Sequence, residues 1–278
     1  MINVATNIRT TNSMAKVEHG CNYNSRLLKG GALLEDMRLL VRNWKKEGGK
    51  GQVDTMVSEN LLGKHTRTRA LDTFRSAFLP RFMNGSPPEA WRIVRELEDH
   101  SLPLEIVRPV YYWITARSEA LLYDFVCKEL LHYSHSQGQD ITTEDVAIWL
   151  RSQLALCGKV WSETVTTRIA RGILAALRDF GILEGAVKKR IAPVYIPIES
   201  FAYIAFAIDR EGVTGFNLVN QPDWSLFLLS SPTTVEHLFL EADRNGLLRF
   251  QAAGKIVRIE FPAQSFEEMA DVIAARTY

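Results

Sequence analysis

The chain has 278 residues, enough for two or three small domains and a proper hydrophobic core. Its apolar content of 46% and charged content of 23% are those of an ordinary soluble globular protein and speak against a disordered chain. The net charge of +1 conceals alternating blocks: residues 23–83 carry 12 basic and 6 acidic side chains, 84–156 carry 6 and 11, 157–198 carry 7 and 3, and 199–278 carry 6 and 11. Such asymmetry suggests an anionic partner on one face, although a folded surface can also mix its segments.

Residues 1–22 lack the apolar core of a signal peptide and read as a disordered polar tail. The first element is "GALLEDMRLLVRNWKK", in which Leu33, Leu34, Met37, Leu40, Val41 and Trp44 form one apolar helical stripe. The run "EGGKG" at 47–51 ends it. A second helix is expected from Val53 to Leu62, stopped by Gly63. The helix that follows, in "KHTRTRALDTFRSAFLPRF", buries Leu71, Phe74, Ala77, Phe78 and Phe82 and crowds Lys64, His65, Arg67 and Arg69 at its beginning. Cations there oppose the helix macrodipole at a few tenths of a kcal/mol each, roughly. An external phosphate would suit them, while long side chains swung into water would lose little.

Helices continue through 87–135. "PPEAWRIVREL" opens with prolines that fit a first turn, Pro109 is placed to start or kink the next helix, and "SEALLYDFVCKELLHY" begins at a serine cap. A polar boundary, "SHSQGQDITTED", precedes a helix carrying Val146, Trp149, Leu150 and Leu154, with Thr142 and Asp145 at capping-box spacing. Residues 1–22, 23–137, 138–198 and 199–278 are thus expected as tail, helical N-terminal domain, helix-turn-helix unit and C-terminal helix/hairpin domain. The fold class is mainly α, a helical bundle followed by winged-helix-like units.

The most informative stretch is "WSETVTTRIARGILAALRDFGILEGAVKKR". Ser162 is positioned as an N-cap. At about 100° per residue, Val165, Ile169, Ile173, Ala176, Leu177 and Phe180 fall on one face, and Thr164, Thr167, Arg168, Arg171 and Arg178 on the opposite one. Gly181 suits the C′ position. "ILEGAVKKRIAPVYIPI" then reads as two short strands around a basic loop, with Val194 and Ile196 alternating with Tyr195. Helix, turn, long helix and basic hairpin is the order of a winged helix-turn-helix. In that geometry Thr164 and Thr167 meet base edges, Arg168, Arg171 and Arg178 meet guanines or phosphates, and Lys188, Lys189 and Arg190 meet phosphates. An amphipathic helix with arginines outside is also common in proteins that bind only protein. Downstream, "TTVEHLFLEADRNG", "LLRFQAAGKIVRIEF" and "SFEEMADVIAA" predict a helix, a hairpin turning near Gly254 and a closing helix. The net acidity of this part points to a protein partner.

No catalytic or metal-binding motif stands out, so no cofactor or small-molecule substrate is expected. The glycines at 48, 49 and 51 make no phosphate loop. "NQPDW" at 220–224 only faintly resembles a methyltransferase motif, and His132 and His135 lack a third ligand. Cys21, Cys127 and Cys157 form no CxxC pair and no even-numbered framework, which suits a reducing cytoplasm. The apolar stretch "VYIPIESFAYIAFAI" is interrupted by Glu199 and too short to span a bilayer, so no membrane association is expected and a cytoplasmic location is.

"YNSRLLKGGALLEDMRLLVRNW" at 23–44 resembles the start of the BrxA family of BREX phage-defence systems, with "NLLGKHTRTRALDTFRSAFLPRF" at 60–82 and "ALRDFGILEG" at 176–185 similar to later blocks. The resemblance covers about residue 22 to the C-terminus. It implies a non-enzymatic accessory protein, partly similar to helical antitermination proteins of the NusB type and associated with double-stranded DNA. Sibling BREX proteins are further implied partners, and no catalytic residues are transferred. Two other readings stay open: an adaptor that grips a protein of the defence complex, and an RNA-binding protein.

Overall fold

The computed structural model describes residues 21–45, 50–134, 140–254 and 256–277. Residues 1–20 of the expected tail, Lys46 of the first expected helix, Glu47 to Gly49 of the expected helix stop, and His135 with the rest of the expected boundary up to Gln139 lie outside the described residues. What is described is mainly α-helical, with two short two-stranded antiparallel hairpins.

A 3-10 turn at Arg26–Leu28 leads into α1 (Leu34–Asn43), α2 (Lys50–Ser58) and α3 (Arg67–Thr73). The chain then widens into a π-helical segment over Phe74–Met83 that contains Pro80. Proline offers no N–H and crowds the carbonyl four residues back, so ordinary α hydrogen bonding cannot continue there. α4 (Trp91–Asp99) starts beyond Pro87 and Pro88, which lie in the preceding turn and not in its first turn as expected. α5 (Leu104–Ser118) is capped by Pro103 and carries Pro109 inside it, so Pro109 does not start it. The expected serine cap is absent. Ser118 closes α5, and its hydroxyl donates to Arg81 O and accepts from Ser86 N. α6 (Ala120–Asp124) follows from Glu119, passes into a π-helical segment over Phe125–Leu130, and ends as α7 (Leu131–Ser134).

α8 (Thr143–Leu156) opens on the anticipated capping box: Thr142 Oγ1 accepts from Asp145 N, and the Asp145 carboxylate accepts from Thr142 N at 2.8 Å. α9 (Glu163–Asp179) is capped by Ser162 and ends at Gly181, whose φ is +82°. The Ile182 N–H then closes on Leu177 O at 2.8 Å. The hairpin that follows is smaller than expected. Leu183–Glu184 (β1) pairs with Arg190–Ile191 (β2), and the ladder ends one bond later, at Ala192 N to Ile182 O. β1 cannot extend backwards because the helix cap occupies Phe180 and Gly181. Pro193 and Pro197 remove donors on the other side. Val194 and Tyr195 consequently point to solvent, and of the expected trio only Ile196 is buried.

The remainder is α10 (Ile198–Arg210), α11 (Gly215–Val219), a 3-10 segment at Pro222–Phe227, α12 (Pro232–Arg244), the hairpin β3 (Arg249–Ala253) with β4 (Ile256–Glu260), and α13 (Phe266–Thr277). This is the helix, hairpin and closing helix read from sequence. Buried side chains from Tyr23 to Ile273 form one connected core. Three hydroxyls stitch its halves together: Tyr203 OH donates to Ile93 O at 2.6 Å, Ser200 Oγ to Ile106 O at 2.7 Å and Tyr112 OH to Leu226 O at 3.0 Å.

Four carboxylates are buried among the described residues, and each is satisfied. Glu98 accepts from Arg38, Arg42 and Tyr111. Asp124 accepts from Tyr23 OH at 2.6 Å and from Lys128. Asp223, the acid of the "NQPDW" run, accepts from Trp113 Nε1 and Tyr123 OH and faces Arg117, so its role is to join the 3-10 segment to α5 and α6. Glu119 meets the fully buried Arg81, whose guanidinium also donates to Gly30 O, Gly31 O and Ala32 O. Replacing Arg81 with Ala leaves Glu119 with Arg26 alone and three carbonyls short of a donor. We expect a loss of about 3–5 kcal/mol in denaturant unfolding, and a loss below about 1 kcal/mol would show that the pair is not structural.

His100 ties α4 to α13: one ring nitrogen meets Glu96 O at 2.7 Å and the other Asp271 Oδ1 at 2.8 Å. The Glu96 carbonyl first and the Asp271 carboxylate second raise its pKa. A raised folded-state pKa gives stabilisation that is complete below the ordinary histidine value and lost as pH rises through the higher folded value. His100→Ala should therefore lower the melting temperature by about 1–2 °C at pH 6 and by less at pH 8. A melting-temperature difference that is the same at both pH values would contradict this linkage.

Candidate nucleic-acid interface

The two faces of α9 are set by different partners. Ile169, Ile173, Ala176, Leu177 and Phe180 are buried, as the helical pattern required, and Val165 is half-buried. Thr166, Ala170 and Leu174 are buried as well. On the side of Gly172 and Ala176 runs an extended N-terminal arm, residues 21–33, whose 3-10 turn packs directly on α9. The approach is close enough to need glycine. A Cβ on Gly172 would stand 2.7 Å from Leu27 O, and one on Gly31 would stand 3.2 Å from both Gly172 O and Ala176 N. Gly172 sits within a helix, where glycine is otherwise unfavourable by roughly 1 kcal/mol relative to alanine. That glycine was the signal in the sequence for a backbone laid across α9.

With two faces covered, a narrow stripe of α9 remains open. Thr164, Arg168, Arg171 and Arg178 are exposed, and Thr167 and Ala175 are half-exposed. Thr167 Oγ1 donates to Glu163, and Arg178 pairs with its neighbour Asp179 at 2.8 Å. Among the described residues no carboxylate pairs with Arg168 or Arg171. The helix is held at its start by Arg151 of α8, which bridges Glu144 and Glu163. This clamp, which links residues of two helices, leaves no local signature in the sequence.

The hairpin brings its cations to the same region of the chain's order, but they are restrained. Lys188 and Arg190 both pair with Asp140, at 3.2 and 2.7 Å. Arg190 first and Lys188 second hold the Asp140 carboxyl below the usual carboxylate range. Lys189 is half-buried; its Nζ donates to Ala186 O, and its carbonyl accepts from Ile141 N at 2.7 Å. That bond pairs Ile141, two residues before α8, with the residue that precedes β2. Asp140 was not foreseen as the counter-charge of this loop.

The other cationic cluster is differently placed. Lys64 is not free: both Asp36 oxygens accept from its Nζ, at 2.9 and 2.6 Å, in a half-buried bridge that joins the start of α3 to α1. Arg67 reaches Asp54 at 3.4 Å. Arg69 projects into solvent, and its backbone N–H donates to the N-cap Thr66. No hydrogen bond or ion pair among the described residues joins 64–69 to 168–190.

Of the histidines, His132 is exposed and His135 lies outside the described residues. Among the described residues no three His, Cys, Asp or Glu side chains are grouped to hold a metal ion, and no helix is long and apolar enough to cross a membrane. One cysteine expectation is corrected: Cys21 and Cys157, far apart in sequence, lie with Cα atoms 5.2 Å apart and form a disulfide.

An α-helical body that presents one cation-lined helix stripe, followed by a short basic hairpin, is the class of protein defined here. The BrxA family model matches residues 21–207, well over half of the chain, and the chain belongs to the BrxA family. The match ends inside α10, short of the C-terminus to which the sequence resemblance extends. Membership associates the chain with BREX antiviral defence. No curated protein matches. A crystal structure of an uncharacterized protein from Magnetospirillum magneticum is similar in fold, with a TM-score of 0.53 and 16% identity, over 72% of this chain and 97% of that one.

The arm contact is directly testable. Gly172→Val puts a Cβ 2.7 Å from Leu27 O, so we expect a cost of about 1–3 kcal/mol and faster proteolysis within residues 21–33. Unchanged proteolysis there would mean that the arm does not lie on this face of α9.

Proposed function

We propose that this protein is a non-enzymatic, double-stranded-DNA-binding accessory component of a BREX defence system, working without a cofactor. In this reading residues 138–198 form a winged-helix-like unit. The Ile141 bridge, α8, α9 and the β1–β2 hairpin supply its parts in order. α9 lies in the major groove with Thr164 and Thr167 toward base edges, and Arg168, Arg171 and Arg178 on guanines or phosphates. Lys188, Lys189 and Arg190 approach phosphate across the hairpin.

The observation that carries this reading is the open stripe of α9, with two arginines that have no carboxylate partner among the described residues. A stability role would leave such residues paired or replaceable. A phosphate or a guanine edge supplies the missing acceptor. Lys64, Arg67 and Arg69 enter only as a secondary patch, since Lys64 already serves the contact between α1 and α3.

An adaptor reading is favoured by a separate observation. Ile148, Leu156 and Val160 on α8 and the turn after it are exposed by 56%, 80% and 94%. Such side chains suit a protein partner within the same defence system. The two readings use different surfaces and are compatible.

The test is fluorescence anisotropy of a labelled duplex across a salt series, with structured RNA as competitor. About five phosphate contacts give a log–log slope of about −4 to −5. The double variant Arg168→Ala, Arg171→Ala should stay folded, bind at least about tenfold more weakly and lose up to about two units of slope. Parent-like binding by the folded variant would rule out α9 as the recognition helix, and preferential displacement by RNA would reassign the ligand. Asp140→Asn should act in the opposite direction, strengthening binding and steepening the slope by releasing Lys188 and Arg190. If the hairpin does not touch phosphate, this variant binds as the parent does.

A further inference from the structure

The Cys21–Cys157 bond joins two parts that meet at α9. Cys157 is the C-cap of α8, at the turn that aims α9. Cys21 begins the described part of the arm that backs α9 on its other side. Lys159, from the same turn, donates its ammonium to Cys21 O at 2.6 Å and to Tyr23 O at 3.0 Å. Beyond this the arm is held by Tyr23 on Asp124, by Arg81 on the carbonyls of Gly30, Gly31 and Ala32, and by the Leu27 contact with Gly172.

The bridge is open to chemistry. Cys21 is exposed and Cys157 is partly so, which gives a reductant access to the bond. The third cysteine does not compete for it. Burial first, then the charges of Asp223 and Asp124, push the Cys127 thiol far above its ordinary range, which keeps it protonated and inert.

We propose that Cys21–Cys157 is a redox latch on the DNA-binding face, closed when oxidised and opened by a dithiol reductant, with the arm loosened and α9 less firmly presented in the open state. The DNA part of this inference rests on the function proposed above. The opening reaction is ordinary exchange. A dithiol thiolate attacks the Cys21 sulfur, the Cys21–Cys157 S–S bond breaks, and Cys157 leaves as a thiolate that takes a proton. The second thiol then resolves the mixed disulfide, releasing Cys21 as a thiol and the reductant as its own cyclic disulfide. Two electrons and two protons pass from reductant to protein.

The experiment uses the full chain, oxidised or treated with dithiothreitol, and alongside it Cys157→Ser. Alkylation and mass spectrometry count the free thiols. Hydrogen exchange follows residues 22–33 and α9, and duplex anisotropy follows binding. Reduction should add two alkylated cysteines, speed exchange in residues 22–33 at least severalfold and weaken duplex binding severalfold. Cys157→Ser should match the reduced parent in exchange and binding and ignore the reductant. Alkylation of Cys21 and Cys157 in the oxidised protein, or exchange that is the same in both states, overturns the latch. Faster exchange with unchanged duplex affinity overturns its coupling to DNA while leaving the α9 reading intact. If neither state binds duplex, the DNA-binding function fails, and the exchange data still decide whether the latch opens the arm.

Discussion

The fold turns on a guanidinium with no access to water. Arg81 sits at the end of a π-helical segment, pairs with buried Glu119 and spreads its remaining N–H groups over Gly30, Gly31 and Ala32. A charge pair in a core is a poor source of net stability, because desolvation offsets most of the attraction. Its contribution is positional. Carbonyls of an extended segment have no partners of their own and must be satisfied when buried. A planar fork with several donors can serve three successive carbonyls, and no apolar substitute can. By holding this strand of backbone, Arg81 fixes where the arm runs, and the arm fixes which part of α9 is covered.

That coupling explains why so little of α9 is exposed and why what is exposed is uniform. One side is buried in the common core, another lies under the arm, and the remaining stripe is polar and cationic from Thr164 to Arg178. The hairpin cations occupy a different electrostatic state. Lys188 and Arg190 already have a carboxylate, so an incoming anion competes with Asp140 for their charge. Under the proposed function, the helix arginines form the ready part of the surface and the hairpin the part that responds only to a stronger field. The family match covers the arm, Arg81, Glu119 and α9, so all the parts of this arrangement fall within the matched region.

Where short-range rules decide, the sequence was readable. The α9 wheel, the Ser162 cap, the Gly181 stop and the Thr142–Asp145 box depend on neighbours within one or two turns, and each is found. The errors arise where distant contacts override local ones. Val194 and Tyr195 alternate like a strand, but no neighbouring strand was available to pair with them. Ser118 looks like a cap, yet its hydroxyl is taken by Arg81 and Ser86. Cys21 and Cys157 could not be matched without knowing that the arm passes the α8–α9 turn. Asp140 is legible as an acid in a polar run, but its pairing with the hairpin requires the Ile141 bridge that closes behind α8. Gly172 is the intermediate case, a locally unfavourable residue whose oddity marks a long-range contact.

The arm's position also sets a timetable for synthesis. Residues 22–33 leave the ribosome early, whereas the surface they must cover, α9, is made well over a hundred residues later. At about 5–20 residues per second the interval is on the order of ten seconds. Through that time Leu27 and the two glycines at 30 and 31 have no α9 to lie against. The nascent chain can gather α1, the π-helical segment and α5 around Arg81, but its outer flank stays unfinished. A newly made protein of this kind therefore leaves the arm uncovered, open to proteases and to holding chaperones, until α9 clears the exit tunnel.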